Sequence, residues 1–324
     1  MQSWVCNVAG SVDDLVWDWV PTPELDSDDL LVEIHAASLN FPDLLMVQGK
    51  YQFKPPLPFV PGAEFSGQVI SVGRGVTTVT VGQSVACICG TGAFSSHAVV
   101  RASDCLVLPA NVPYADAAAL PLTYATAYHG LVDRAGLASG ETVLVLGAAG
   151  GVGSAAIQVA KALGARVIAA ASTEQKAYTA QALGADAIID TSRQVLRDAI
   201  KQATNGRGPD VIVDPVGGSQ TETAFRSIAW RGRHLVIGFA AGDIPSLPLN
   251  LALVKGASAI GVFYGEFAKR EPEAAAANLR QLLTWYLAGV VKPRIHASLP
   301  MRELKQAFEL LSTREVRGKV VLTL

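Results

Sequence analysis

Ala148-Ala149-Gly150-Gly151-Val152-Gly153 is the stretch of this sequence whose residue types and spacing most directly imply chemistry. It follows an apolar run, TVLVLG, and opens a segment of helical spacing, GSAAIQVAKALG. Aligned to the pattern G-x-G-x-x-G, the key positions fall on Ala148, Gly150 and Gly153. A glycine at 150 lets the backbone approach a pyrophosphate, and one at 153 lets the helix pack tightly on the strand. The helix N-terminus, with Gly151 and Val152 in its first turn, offers free N–H groups and a positive dipole end to an anion. The strand–turn–helix context is the one this motif demands, so a dinucleotide is the expected ligand.

A site for NAD carries an acidic residue about 20 positions further on, bonded to the adenine ribose. Here the second strand ends in Ala170-Ala171-Ser172-Thr173, with no carboxylate before Glu174. Ser172 can hydrogen-bond a phosphate, and Lys176 follows one helical turn later on the same face. That pair suits a 2′-phosphate, which favours NADPH over NADH. The cysteines Cys6, Cys87, Cys89 and Cys105 form no disulfide framework and are read as reduced thiols. His35, His97, His129, His234 and His296 are scattered and form no ligand cluster with them.

The elements that must position these residues have two rhythms. The first third is β-rich: LLVEIHAASLN, GQVISVG, SVACI and SHAVV are short runs separated by Gly, Pro and Asp. YQFKPPLPFVPG is too rich in proline for a helix or a central strand and is read as a rigid loop. Near residue 125 the pattern changes. TVLVLGA, ARVIAAA, DVIVDPVG and RHLVIGFA read as strands, with helices between them stopped by glycines such as Gly164 and Gly184. Strands alternating with helices predict a parallel sheet covered on both faces. A strongly helical segment, EPEAAAANLRQLLTWYLAG, a further helix and a terminal strand, GKVVLTL, close the chain.

With 324 residues, two domains, or one threaded through another, are expected. Half the residues are hydrophobic and 17% are charged, which excludes a disordered chain. A formal net charge of -2 argues against a dedicated nucleic-acid binder. The most apolar stretch is interrupted by glycines, Ser154, Gln158 and Lys161, so no membrane span is expected. The first residues lack the basic and apolar regions of a secretory signal, and a cytoplasmic protein is expected.

The segments AASLNFPDLLMVQGKY, LPFVPGAEFSGQV, LPLTYATAYHGL, GAAGGVGSAAIQVAKALGA, DPVGG, VIGFA and RGKVVL together resemble the medium-chain dehydrogenase/reductase superfamily. Within it, the chain looks most like the zinc-independent NADPH:quinone oxidoreductases. The resemblance implies an α/β fold: a discontinuous GroES-like β domain (1–124 and 263–324) clasping a doubly wound Rossmann domain (125–262), with the cofactor in the cleft between them. Zinc-dependent relatives place a cysteine where this chain has Asn40, and a histidine where Ala63 precedes Glu64. Asn and Ala supply neither thiolate nor imidazole, so no metal is expected. The implied activity is hydride transfer from NADPH to quinones or α,β-unsaturated carbonyls. An enoyl-thioester reductase is the first alternative, and a catalytically idle binding protein the second.

The resemblance also implies roles. Asn40 and Asp43 border the nicotinamide and substrate, and Tyr51 lines the substrate pocket, where its phenol could donate to a substrate oxygen. Thr126 meets the carboxamide end of the cofactor, while Gly238, Phe239 and the Val262-Phe263-Tyr264 segment flank the nicotinamide. Arg314 lies near the adenine phosphate. Thr191 stands where several relatives carry a tyrosine that packs on the adenine end, and Arg193 is a candidate to compensate. A homodimer through edge strands of the nucleotide domains is implied as well.

Overall fold

The computed structural model describes residues 1–324, which divide into two compact units: Met1–Leu122 with Pro293–Leu324, and Thr123–Lys292. The first unit opens with an antiparallel ribbon, β1 (Gln2–Val5) and β2 (Val16–Trp19). β3 (Asp29–Ser38), α1 (Phe41–Val47), β4 (Glu64–Val72), β5 (Ser84–Ile88), β6 (His97–Arg101), β7 (Cys105–Leu108) and α2 (Tyr114–Ala119) follow. β3 is the spine of this unit. Its alternate residues Leu30, Val32, Ile34 and Ala36 are all buried, and it pairs antiparallel with both β4 and β6. The proline-rich stretch after Tyr51 forms neither helix nor long strand, as its composition predicts.

The chain crosses into the second unit along α3 (Pro121–Tyr128), which widens into a π-type turn over His129–Arg134. The order is then β8 (Thr142–Val145), α4 (Gly151–Ala162), β9 (Arg166–Ala171), α5 (Glu174–Ala182), β10 (Ala187–Asp190) and α6 (Leu196–Ala203). β11 (Val211–Asp214), α7 (Ser219–Arg226), β12 (Arg233–Val236), α8 (Leu249–Lys255) and β13 (Ser258–Gly261) continue it, and α9 (Tyr264–Arg270) and α10 (Pro272–Leu287) end it. The strands form one parallel sheet in the order β10-β9-β8-β11-β12-β13. β8 and β11 are buried along their whole length, as strands covered on both faces must be. The direction of winding reverses between these two, and a doubly wound sheet binds ligands at the C-terminal strand ends at such a point.

The second unit runs to Lys292, beyond the expected boundary at 262. Side chains of α3 and its extension hold the extra segment. The His129 ring stacks on Phe267 with centroids 3.8 Å apart, Tyr128 packs on Trp285, and Asn278 donates to Asp133 at 2.8 Å. Tyr124 Oη donates to the Lys292 carbonyl at 2.9 Å and fixes the exit.

The last segment returns to the first unit with β14 (Ile295–Pro300), α11 (Leu304–Ser312) and β15 (Lys319–Thr323). β15 pairs antiparallel with Ala36–Ser38 of β3 and parallel with β14, giving the sheet order β14-β15-β3-β4-β5-β7 with β6 also on β3. Leu304, Ala307 and Phe308 of α11 enter the same core as Trp4, Phe65 and Phe94. No helix is long and apolar enough to cross a membrane.

Candidate functional site

In the second unit, β8 delivers the chain into a turn whose glycines have distinct physical reasons. A Cβ on Gly153 would lie 2.3 Å from the Gly147 carbonyl oxygen and 2.8 Å from Ala148 Cα, so only glycine lets α4 sit this close to the turn. At Gly150 the only neighbour of such a Cβ is the Gly147 oxygen, at 3.4 Å, which leaves that backbone approachable. Gly150 stands at the N-cap of α4 and has no side chain to accept from the first-turn N–H groups. Ala148 is buried and donates its N–H to Ala170 O at 3.1 Å. Its small side chain fits the first position of the motif. Gly151 and Val152 are half-buried in the first turn. An open backbone at a free helix N-terminus is a fitting cradle for a pyrophosphate.

At the end of β9, Thr173 Oγ1 caps α5 by accepting from Lys176 N at 3.3 Å. Capping fixes the first turn and directs the Lys176 side chain back, so that Nζ lies 3.4 Å from Ser172 Oγ. The structure thus brings together the two residues that the sequence selects for a phosphate, both at an exposed strand end. Arg193 is exposed and lies 3.3 Å from Glu174 and 3.7 Å from Asp190. Thr191 Oγ1 donates to the Ala171 carbonyl at 3.1 Å, which turns it into the sheet edge. Thr126 is buried on α3; Gly238 and Phe239 follow β12 and are half-buried. Phe263, two residues after β13, is 53% exposed, whereas Tyr264 is buried at the start of α9.

In the first unit, Asn40 and Asp43 are buried, at the N-terminus of α1. Asp43 Oδ2 accepts the Asn40 backbone N–H at 2.8 Å, half of a capping box. The Asn40 side chain is also committed inside the protein. Its Nδ2 donates to Glu64 Oε1 at 2.8 Å and to Ser38 O at 3.2 Å, and its Oδ1 accepts from Lys319. Lys319 Nζ spends its remaining donors on Glu64 Oε1, at 2.9 Å, and on Leu39 O, at 2.7 Å. Glu64 Oε2 accepts the Leu122 N–H at 2.8 Å. Asn40 and Asp43 therefore hold one another and α1 in place.

Asp43 has a second oxygen, Oδ1, that is buried without a partner. Burial is the main cause that pushes its carboxyl up to about 7, helped by the nearby Glu64 and opposed by the Asn40 amide and Lys319. Tyr51 is half-buried in the proline-rich loop, and burial followed by the Asp43 charge raises its phenol above the usual value. Arg314 is exposed in the turn between α11 and β15, with a φ of 59°. The sequence reading missed Lys319 and Glu64 as network members. It also missed the Asp214–Thr221–His234 cluster behind the glycine turn, although Glu64, Lys319 and Asp214 fall in segments that carry the family resemblance. No group of three or more His, Cys, Asp and Glu residues is arranged to hold a metal ion, and the cysteines are free thiols.

Comparison with known proteins fits both units. Residues 26–110 match the alcohol dehydrogenase GroES-like domain, and residues 151–281 match the zinc-binding dehydrogenase family. The chain is 38% identical over 321 residues to quinone oxidoreductase-like protein 2 homolog of Nematostella vectensis, covering 98% of this chain and 87% of that one. Among solved structures, Pseudomonas syringae quinone oxidoreductase is 29% identical with a TM-score of 0.93, covering 100% of this chain and 99% of that one. Escherichia coli quinone oxidoreductase complexed with NADPH is 27% identical with a TM-score of 0.93, and the match covers 100% of both chains.

Proposed function

The chain belongs to the quinone oxidoreductase-like family of the medium-chain dehydrogenase/reductase superfamily, and from that premise we propose that it transfers hydride from NADPH to quinones or α,β-unsaturated carbonyls without a metal. The observation that carries this reading is the pair of anion sites in the second unit. One is the open backbone at Gly150–Gly153, and the other is Ser172 beside Lys176 at the end of β9, a strand that carries no carboxylate. The first suits a pyrophosphate and the second a 2′-phosphate. Thr126, Gly238, Phe239, Phe263 and Tyr264 are assigned to the nicotinamide half, and Arg314 to the adenine half.

NADPH supplies a hydride when bound; the protein supplies orientation, exclusion of water and a donor for the oxygen that gains charge. Tyr51 is the assigned donor. A phenol is protonated at neutral pH and the upward shift at Tyr51 keeps it so to higher pH, ready to hydrogen-bond a substrate oxygen. Asn40, whose side chain is spent on internal hydrogen bonds, and Asp43, which holds the Asn40 amide through Oδ2, act by fixing α1. Asn40 and Ala63 supply no zinc ligands, which supports a metal-free reaction. The unpaired edge of β13 and the exposed Trp230, Leu249, Leu253 and Val254 support a homodimer formed through this edge.

Consumption of NADPH and NADH with 9,10-phenanthrenequinone, with crotonyl-CoA and with no acceptor tests the reading. Quinone-dependent oxidation of NADPH, unchanged by chelators, is expected. Turnover with crotonyl-CoA alone would assign the chain to the enoyl-thioester reductases instead. Binding without turnover on any acceptor would leave an idle NADPH-binding protein.

A further inference from the structure

β11 ends on Asp214 beside β8, where the winding of the sheet reverses. Its buried carboxylate gathers four partners. Oδ1 accepts the backbone N–H groups of Val216, at 2.9 Å, and Gly217, at 2.8 Å. Oδ2 accepts the Thr221 hydroxyl of α7 at 2.6 Å and lies 3.1 Å from His234 Nε2 of β12. Burial alone would raise this carboxyl, but the bonds from His234, Thr221 and Gly217 outweigh it and hold the group below its usual range.

The turn fixed in this way is the template for the next segment. The Asp214 carbonyl accepts from Ile237 N at 3.0 Å and from Gly238 N at 3.4 Å. The Pro215 and Val216 carbonyls accept from Ala240 N and Ala241 N at 3.2 and 2.8 Å, and Gly218 N donates to Asp243 O at 3.1 Å. Residues 237–243 are thus laced to 214–218 backbone to backbone. The same turn abuts the glycine turn. A Cβ on Gly147 would lie 2.6 Å from Val216 Cγ2, and one on Gly217 would lie 2.8 Å from the Phe239 ring.

We propose that Asp214, braced by Thr221 and His234, is a positioning residue for the cofactor: it sets the Pro215–Gly218 backbone, and through it the place of Gly238 and Phe239 beside the glycine turn. This rests on the reading that the second unit binds NADPH. The trio has the composition of a hydrolytic triad but not its wiring. The Thr221 hydroxyl points at the carboxylate rather than at the imidazole, and all three side chains are buried. His234 Nδ1 is buried with no partner, so the single proton of a neutral ring belongs on Nε2, directed at Asp214.

Asp214→Asn keeps an oxygen for the turn but presents an amide N–H to His234 Nε2. The ring proton is then driven to Nδ1, where nothing accepts it. The test combines NADPH titration by fluorescence, acceptor kinetics and nitrogen NMR of the histidine rings. The wild-type protein should show the Nε2–H tautomer at His234 and the variant the Nδ1–H tautomer. The NADPH dissociation constant should rise about tenfold or more, the loss of one charge-assisted hydrogen bond, while the KM for the acceptor moves less than about threefold. Thr221→Val removes a single donor and should weaken NADPH binding less, with the tautomer unchanged; it carries the test if Asp214→Asn does not fold. An Nδ1–H tautomer in the wild-type protein overturns the proposal, as does unaltered NADPH affinity in either folded variant. A wild-type protein that fails to bind NADPH overturns the functional reading, and the proposal with it.

Discussion

Ser172 and Lys176 decide between the two nicotinamide cofactors by charge. A 2′-phosphate brings close to two negative charges to the end of β9, and a hydrogen bond to such a group contributes about 1.5–3 kcal/mol. Ser172 is exposed and Lys176 is half-buried, so screening favours the lower end, about a tenfold preference for NADPH. Lys176→Ala should raise the KM for NADPH and leave that for NADH nearly unmoved. Ser172→Asp should reverse the preference, and equal use of both cofactors by the wild-type enzyme would contradict this account. Asp43 sets a pH dependence of another kind. Burial raises its pKa from 3.8 to about 7 in the folded chain. Between those values the folded state holds a proton that the unfolded state has released, so stability falls as pH rises from about 4 to 7. Asp43→Asn keeps an acceptor for the Asn40 amide and removes the titration. Its thermal midpoint should vary less between pH 5 and pH 8 than that of the wild-type protein, and equal slopes would refute the assignment.

The packing of α4 on its turn leaves no room for a methyl group at residue 153. Gly153→Ala places a carbon 2.3 Å from the Gly147 oxygen, so the helix must shift. Overpacking of this kind costs about 1–3 kcal/mol. A lower unfolding temperature together with weakened NADPH binding is expected, and a variant with normal affinity would show that the spacing of helix and turn is not what the ligand reads. This turn was legible in the sequence because everything it needs lies within one strand, one turn and one helix. The network around Asn40 was not, since its cation, Lys319, is 279 residues away and only the pairing of β15 with β3 brings the two together. Asp214 and His234 were hidden for a related reason. DPVGG and RHLVIG show a turn and a strand, but not that a carboxylate at the end of one strand meets an imidazole on its neighbour. The family resemblance implies a return of the chain to the first unit at 263. Rings on α3 and its extension decide that α9 and α10 stay with the second unit.

At the scale of the whole molecule, β13 leaves the six-stranded sheet with an open edge. Leu253 on the neighbouring α8 is 80% exposed, and Trp230 is exposed as well. Light scattering should report a dimer at micromolar concentration, and Leu253→Lys should shift it toward the monomer; a wild-type monomer would refute the interface. The discontinuous first unit has a further consequence, for the order in which the protein can be made. A ribosome releases the chain from its N-terminus, and domains fold as units as they emerge. Residues 123–292 are contiguous and can fold while the remainder is still being translated. The first unit cannot do so. Until β15 arrives, one edge of β3 at its end lacks a partner, and Glu64 and Asn40 lack the ammonium group that neutralises their buried site. A chain cut short before Lys319 would carry a finished nucleotide unit joined to a partner that cannot close, an exposed strand edge that quality-control proteases and chaperones can recognise.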